Sequence, residues 1–204
     1  MAMKKPTTSL IKRHLKKRGK LYVVSGPSGC GKTTLCAKLL KKDLGLTRSV
    51  SVTTRIPRAG EKRNRDYIFD TKELFLKDVK KKRFLEHAKV FGNYYGTPKK
   101  FVLEMLEKNK DILLNIDVQG AAQIKRNFKE AVLIFILPPS LKVLYKRLQT
   151  RSTDTKKEVK KRLEAAEKEL NAVNVYDYIV LNDKLSAATK DIVAIIKADR
   201  CKRT

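Results

Sequence analysis

Short runs of consecutive apolar residues punctuate an otherwise charged chain: Leu21-Tyr22-Val23-Val24, Ile112-Leu113-Leu114, Ala131 to Leu137 and Tyr178-Ile179-Val180-Leu181. Continuous apolar runs of this length fit strands buried on both faces, as in a parallel sheet. Helical periodicity fills the intervals. Thr34 to Lys42 carries Leu35, Leu39 and Leu40 on one side and stops at Gly45. Thr71 to Lys82 presents Leu74, Phe75 and Val79 as a core face, with a cap at Asp70 or Thr71 and Glu73 in its first turn. Pro98 to Lys108 does the same with Phe101, Val102, Met105 and Leu106. Pro138-Pro139-Ser140 ends one strand and opens a further helix, a long charged helix follows Ser152 to Thr155, and Leu185 to Ala198 closes the chain. Between the first two apolar runs, Arg48 to Thr54 reads as one short alternating strand that breaks into a basic loop ending at Glu61. Strands alternating with helices predict an α/β fold, a parallel sheet with helices on both faces.

Length and composition narrow the class. At 204 residues with 42% hydrophobic content, one domain with a real core is expected. No apolar stretch is long enough to span a bilayer, and the N-terminus lacks the apolar centre of a secretory signal. Cys30, Cys36 and Cys201 form an odd set without a C-x-x-C pair, so neither a disulfide framework nor a zinc site is indicated and a reducing cytoplasm is the natural compartment. The charge is unusual: 48 Lys+Arg against 21 Asp+Glu, formally +27. Such a field attracts polyanions without requiring a specific nucleic acid partner. The excess is mostly lysine spread along the chain, without the aromatic interleaving of a single-strand binder, and reads as solvated surface. Residues 1–19 hold no acidic residue and read as a basic tail, with disorder as the default expectation.

The chemistry begins where the first strand ends. Gly26-Pro27-Ser28-Gly29-Cys30-Gly31-Lys32-Thr33 satisfies G-x-x-x-x-G-K-[ST], with a strand before it and a helix after it. The glycines let backbone N–H groups converge on an anion, and the helix N-terminus adds its positive dipole end. Lys32 can reach the outer phosphates of a nucleoside triphosphate, and the Thr33 hydroxyl suits its magnesium. Thr34 continues the same turn. Cys30, at that helix mouth, is expected to have a lowered thiol pKa.

After this loop, Ser51, Thr53-Thr54-Arg55, Pro57-Arg58, Gly60-Glu61 and Asp66-Tyr67 fall in the order S-x-T-T-R-x-P-R-x-G-E followed by D-Y. Further on come Phe84-Leu85-Glu86, Gly92-Asn93-Tyr94-Tyr95-Gly96-Thr97, Ile116-Asp117-Val118-Gln119-Gly120 and Asn182-Asp183. In this order the segments closely resemble the guanylate kinase family, and the resemblance runs from Lys20 to about Ala198. It implies a domain over residues 20–199: a core (20–52 and 98–199), a small α+β insert at about 53–97 that binds GMP, and a helical lid at about 148–165.

The resemblance also implies roles. Arg55 and Arg58 would hold the GMP phosphate with planar forks, joined by the phenols of Tyr67 and Tyr95. Glu86 would accept the guanine N1 and N2 hydrogens, with Ser51 donating to O6 and Thr97 a further base contact. Asp117 would organise magnesium with Thr33 and could touch the guanine amino group. Arg147, Arg151 and Arg162 would arrive with the lid at the transferred phosphoryl, and Asn182 would sit near adenine. Lys32, Arg55 and these three arginines form the expected catalytic set. The implied reaction is direct transfer from ATP to GMP, with Mg2+ as cofactor. One position departs from the family: most relatives carry an acid where this chain has Asn115. Other classes stay open on sequence alone. A noncatalytic guanylate-kinase-like module typically loses the loop or the lid arginines, a kinase for another monophosphate is opposed by Glu86 and Ser51, and a nucleic-acid binder is suggested by charge alone.

Overall fold

The computed structural model describes residues 18–149 and 156–202. Five strands form one wholly parallel sheet: β1 (Leu21–Ser25), β2 (Leu46–Arg48), β7 (Asp111–Asn115), β8 (Val132–Leu137) and β9 (Tyr178–Leu181), in the order β2-β7-β1-β8-β9. Side chains alternate across β1. Tyr22 and Val24 face one helical layer, α1 (Lys32–Leu40) and α7 (Leu185–Arg200), together with Leu35, Leu39, Ile192 and Ile196. Leu21 and Val23 face the other layer, α3 (Lys99–Glu107) and α4 (Val118–Asn127), with Val102, Leu106 and Ile124. Burial on both faces is why β1, β7 and β8 are apolar at nearly every position, whereas β9 at the sheet edge departs from that expectation and leaves Ile179 and Leu181 57% and 51% exposed. The α/β reading with helices on both faces holds.

A second sheet, in the order β4-β3-β6-β5, is built from β3 (Val52–Thr53), β4 (Ile68–Phe69), β5 (Phe84–Val90) and β6 (Asn93–Pro98), with α2 (Lys72–Lys80) beside it. The expected single strand over Arg48 to Thr54 is therefore two. Leu46–Arg48 pairs with β7 in the main sheet, whereas Val52–Thr53 pairs with β4 and β6 in the small one. A period of two cannot register that the chain changes sheets within Ser49 to Ser51. Two predicted core residues face outward: Leu74 and Phe101 are 50% and 36% exposed, while their neighbours Phe75 and Val102 are fully buried. Each helix here spends one face on the sheet, and these positions fall at its margin.

The small sheet is pinned to the core through α4. Gln123 donates from Nε2 to the His87 carbonyl at 2.6 Å and accepts the His87 N–H at 3.2 Å, satisfying the free edge of β5. The remaining described helices are α5 (Leu141–Gln149) and α6 (Lys156–Leu170), the latter followed by a 3-10 turn, Asn171–Val175. α5 and α6 share a small separate cluster of Leu144, Leu148 and Ala166. Among the described residues no helix is long and apolar enough to cross a membrane.

Candidate active site

A cavity of about 870 Å³ opens between the carboxyl ends of the parallel strands, the small sheet and α6. Ligands of open α/β sheets bind at this end. Gly26, Ser28, Gly29, Gly31, Lys32, Thr33 and Thr34 line one side, and Ser51, Arg55, Arg58, Tyr67, Glu86 and Tyr95 line the other. Asp117, Arg147, Arg162 and Asn182 also border it. Of the residues singled out from sequence, Pro27, Cys30 and Thr97 lie outside this lining, and Arg151 lies outside the described residues.

The loop between β1 and α1 is braced from behind. Gly31 adopts φ +95° as the residue before the helix, a conformation that strains any residue with a Cβ. A Cβ there would also overlap Asn182 Nδ2, which donates to the Cys30 carbonyl at 2.7 Å. Asn182 thus clamps the loop backbone, a role its sequence position did not announce. Tyr176 donates to Ser25 Oγ at 2.9 Å from beneath, and its phenol is pushed up to about 12 by burial. Lys32 donates to the carbonyls of Gly26 and Pro27 at 2.6 and 2.8 Å. Cys30 departs from expectation: its thiol is fully buried and its pKa is raised, because burial outweighs the nearby Lys32 charge.

Beyond the loop, Asn115 closes β7 and donates from Nδ2 to Thr33 Oγ1 at 3.3 Å. The residue at which the resemblance expects an acid therefore faces the hydroxyl that the sequence reading offers to a metal. Asp117 caps α4, its Oδ1 accepting the Gly120 N–H at 2.9 Å. Burial holds its carboxyl above the usual range.

At the far end Glu86 is almost wholly buried, and its carboxyl is pushed up to about 7 by burial, with Asp117 adding repulsion. Thr97 donates to its Oε1 at 2.6 Å from the adjacent strand. A Cβ on Gly120 would overlap Glu86 Oε2, so only glycine lets α4 approach this carboxylate. The anion-binding candidates Arg55 and Arg58 border the same cavity. Arg55 Nη2 contacts both oxygens of Glu61 at 2.8 and 2.9 Å, and its guanidinium lies 5.4 Å from the Tyr67 ring centroid. Glu61 also accepts the Arg58 N–H at 2.8 Å. Burial favours the neutral guanidine, but the Glu61 contact overrides it and leaves Arg55 above its ordinary pKa. Glu61 stands in the motif, yet its positioning function is visible only in three dimensions.

Two further contacts were not foreseen. Arg162 of α6 lies over the ring of Phe91, 4.9 Å from its centroid. Phe91 (φ +47°) and Gly92 (φ +85°) form the tight turn between β5 and β6, so the hairpin tip meets α6. Glu169, near the end of α6, accepts the Ser28 N–H at 3.3 Å. It lies in a charged helix whose pattern reads as solvated surface.

The arrangement sets a glycine-rich loop and a buried carboxylate on one cavity, with Arg55, Arg58, Arg147 and Arg162 on its lining. Comparison with known proteins agrees with it. A family model described as guanylate kinase matches residues 18–199. A guanylate kinase of Caldanaerobacter subterraneus subsp. tengcongensis is 48% identical over 188 residues, 92% of this chain and 91% of the relative. One from Clostridium tetani is 50% identical over 185 residues, 91% of this chain and 88% of the relative. The crystal structure of guanylate kinase from Anaplasma phagocytophilum superposes with a TM-score of 0.78 at 35% identity, covering 92% of this chain and 89% of that one.

Proposed function

The chain belongs to the guanylate kinase family, and from that premise we propose that it transfers the γ-phosphoryl group of ATP to GMP, giving ADP and GDP, with dGMP as a second acceptor. The observation that carries this reading is Glu86: a buried carboxylate, oriented by Thr97 and facing the cavity of the phosphate loop. Two adjacent guanine donors match one carboxylate; adenine would present a lone pair instead. A site of buried hydrogen bonds can reject the wrong base by as much as ~10⁴-fold.

Transfer is direct and in line. Arg55 and Arg58, ordered by Glu61, hold the acceptor phosphate with Tyr67 and Tyr95, while the loop N–H groups and Lys32 hold the donor. Arg147 and Arg162, with Arg151, add positive charge at the transferred group, and the lid excludes water that would otherwise accept it. The acceptor phosphate is already ionised, so no general base is needed. We assign Thr33 Oγ1 and the Asp117 carboxylate, both on the cavity lining where Asn115 turns its Nδ2 toward Thr33, to hold the magnesium ion of the nucleotide. When bound, it neutralises phosphate charge. We place the enzyme in the cytoplasm, in purine nucleotide metabolism, without a membrane or specific nucleic acid partner.

The role assignment is tested by Lys32→Ala. Turnover should fall by about 10³-fold or more while GMP affinity stays within about twofold. Lost GMP affinity with intact turnover would contradict it.

A further inference from the structure

Glu169 places an acid against the backbone that is meant to receive phosphate. Its Oε2 accepts the N–H of Ser28, the third residue of the Gly26 to Thr33 loop, at 3.3 Å. The side chain borders the same cavity as Lys32 and Asp117. Burial raises its carboxyl above the usual range, Lys32 pulls it down and Asp117 adds repulsion. The loop's own cation is meanwhile turned inward, with Lys32 donating to the carbonyls of Gly26 and Pro27. Both partners of a phosphate are thus satisfied from within the protein, one by an anion and one by carbonyls. A neutral side chain could brace α6 on the loop at lower desolvation cost. The carboxylate adds the one property that neutral braces lack: it resembles a phosphate oxygen in charge and in hydrogen-bonding capacity.

We propose that Glu169 is a positioning residue that stands in for a phosphate oxygen at the Ser28 N–H, so that an entering triphosphate and Glu169 exclude one another. The displaced carboxylate takes the base of α6 with it, which ties phosphate occupancy to the position of the helix that carries Arg162. This extends the proposed donor site and rests on its assignment to the loop. It makes the end of α6 a sensor of the polyphosphate, with no contact to adenine required.

The test uses the full chain with inorganic tripolyphosphate, ATP and adenosine as separate titrants, in wild type, Glu169→Gln and Glu169→Ala. Glutamine keeps the length and an acceptor oxygen but not the charge. Both variants should bind tripolyphosphate about tenfold more tightly than wild type, the scale of a like-charge contact at screened protein dielectric. Adenosine affinity should not move. In turnover, Glu169→Gln should lower both the apparent KM for ATP and kcat, because departing ADP no longer has a competitor for its phosphates. A brace without a competing charge would leave tripolyphosphate affinity unchanged or weaken it. That outcome in both variants, with native melting temperatures, overturns the proposal while leaving the loop assignment intact. A wild-type protein that binds no tripolyphosphate would overturn the loop assignment and this proposal together.

Discussion

Glu86 holds a proton far more tightly than an ordinary glutamate, because its carboxyl is buried between β5 and α4 and is pushed up to about 7. The folded pKa lies above the unfolded one, so the group's contribution to stability is complete below its ordinary value of 4.5 and is lost as pH rises through about 7. The proposed guanine contact of Glu86 needs the ionised form. GMP affinity should therefore rise as pH climbs through about 7, with a proton released on binding below that value. The GMP phosphate itself titrates near about 6 and obscures part of this change. Calorimetric titration of wild type and Glu86→Gln between about pH 5.5 and 8 separates the two, since only wild type should keep the higher transition. Identical profiles would show that Glu86 does not read the base. Asn115 is the second residue with a testable consequence. Asn115→Asp would set a charge beside the Thr33 hydroxyl, 3.3 Å from the present amide, and should lower the Mg2+ concentration for half-maximal turnover about threefold to tenfold. An unchanged Mg2+ requirement would detach this position from the metal.

Among the elements, the hairpin of β5 and β6 and the helix α6 meet through Phe91 and Arg162. The contact joins the sheet that carries Glu86 and Tyr95 to the helix that carries a proposed transfer residue. Phe91 holds a positive φ at 44% exposure, a costly place for an aromatic unless its ring is used. Phe91→Ala should leave melting temperature nearly unchanged and lower kcat about threefold to tenfold, with a smaller effect on GMP affinity. Unaltered kcat would reduce the contact to surface packing. The element scale also marks where sequence reading stops. Strands buried on both faces, such as Val132–Leu137, announce themselves by unbroken apolar runs. The split of Arg48 to Thr54 between two sheets does not, because side-chain alternation is the same whichever partner a strand takes. Cys30 illustrates a related limit. A helix N-terminus lowers a thiol pKa only where the sulfur remains solvated, and burial is set by packing from distant elements.

At the scale of the whole molecule, one parallel sheet supplies the phosphate loop, a second sheet supplies the carboxylate pocket, and the cavity between them joins the two. The loop was legible because G-x-x-x-x-G-K-T encodes its chemistry locally. Arg55, Arg58 and Glu86 were legible only through the family register, since a lone arginine or glutamate carries no local signature. Glu169, Phe91 and the clamping role of Asn182 act on partners up to 152 residues away in sequence, and no local pattern marks them. The formal charge of +27 belongs to this scale too. It draws in polyanions in a salt-dependent way but does not choose among monophosphates, which all carry the same phosphate. In the proposed reading that choice falls to the buried pocket around Glu86. The most direct test is ADP production from ATP and Mg2+ with GMP, AMP, CMP, UMP and dTMP offered separately at physiological salt. Strong turnover with GMP and at least about 10³-fold less with the others is the expected result. Equal turnover across the acceptors, or none with GMP from folded protein that binds ATP, would contradict it.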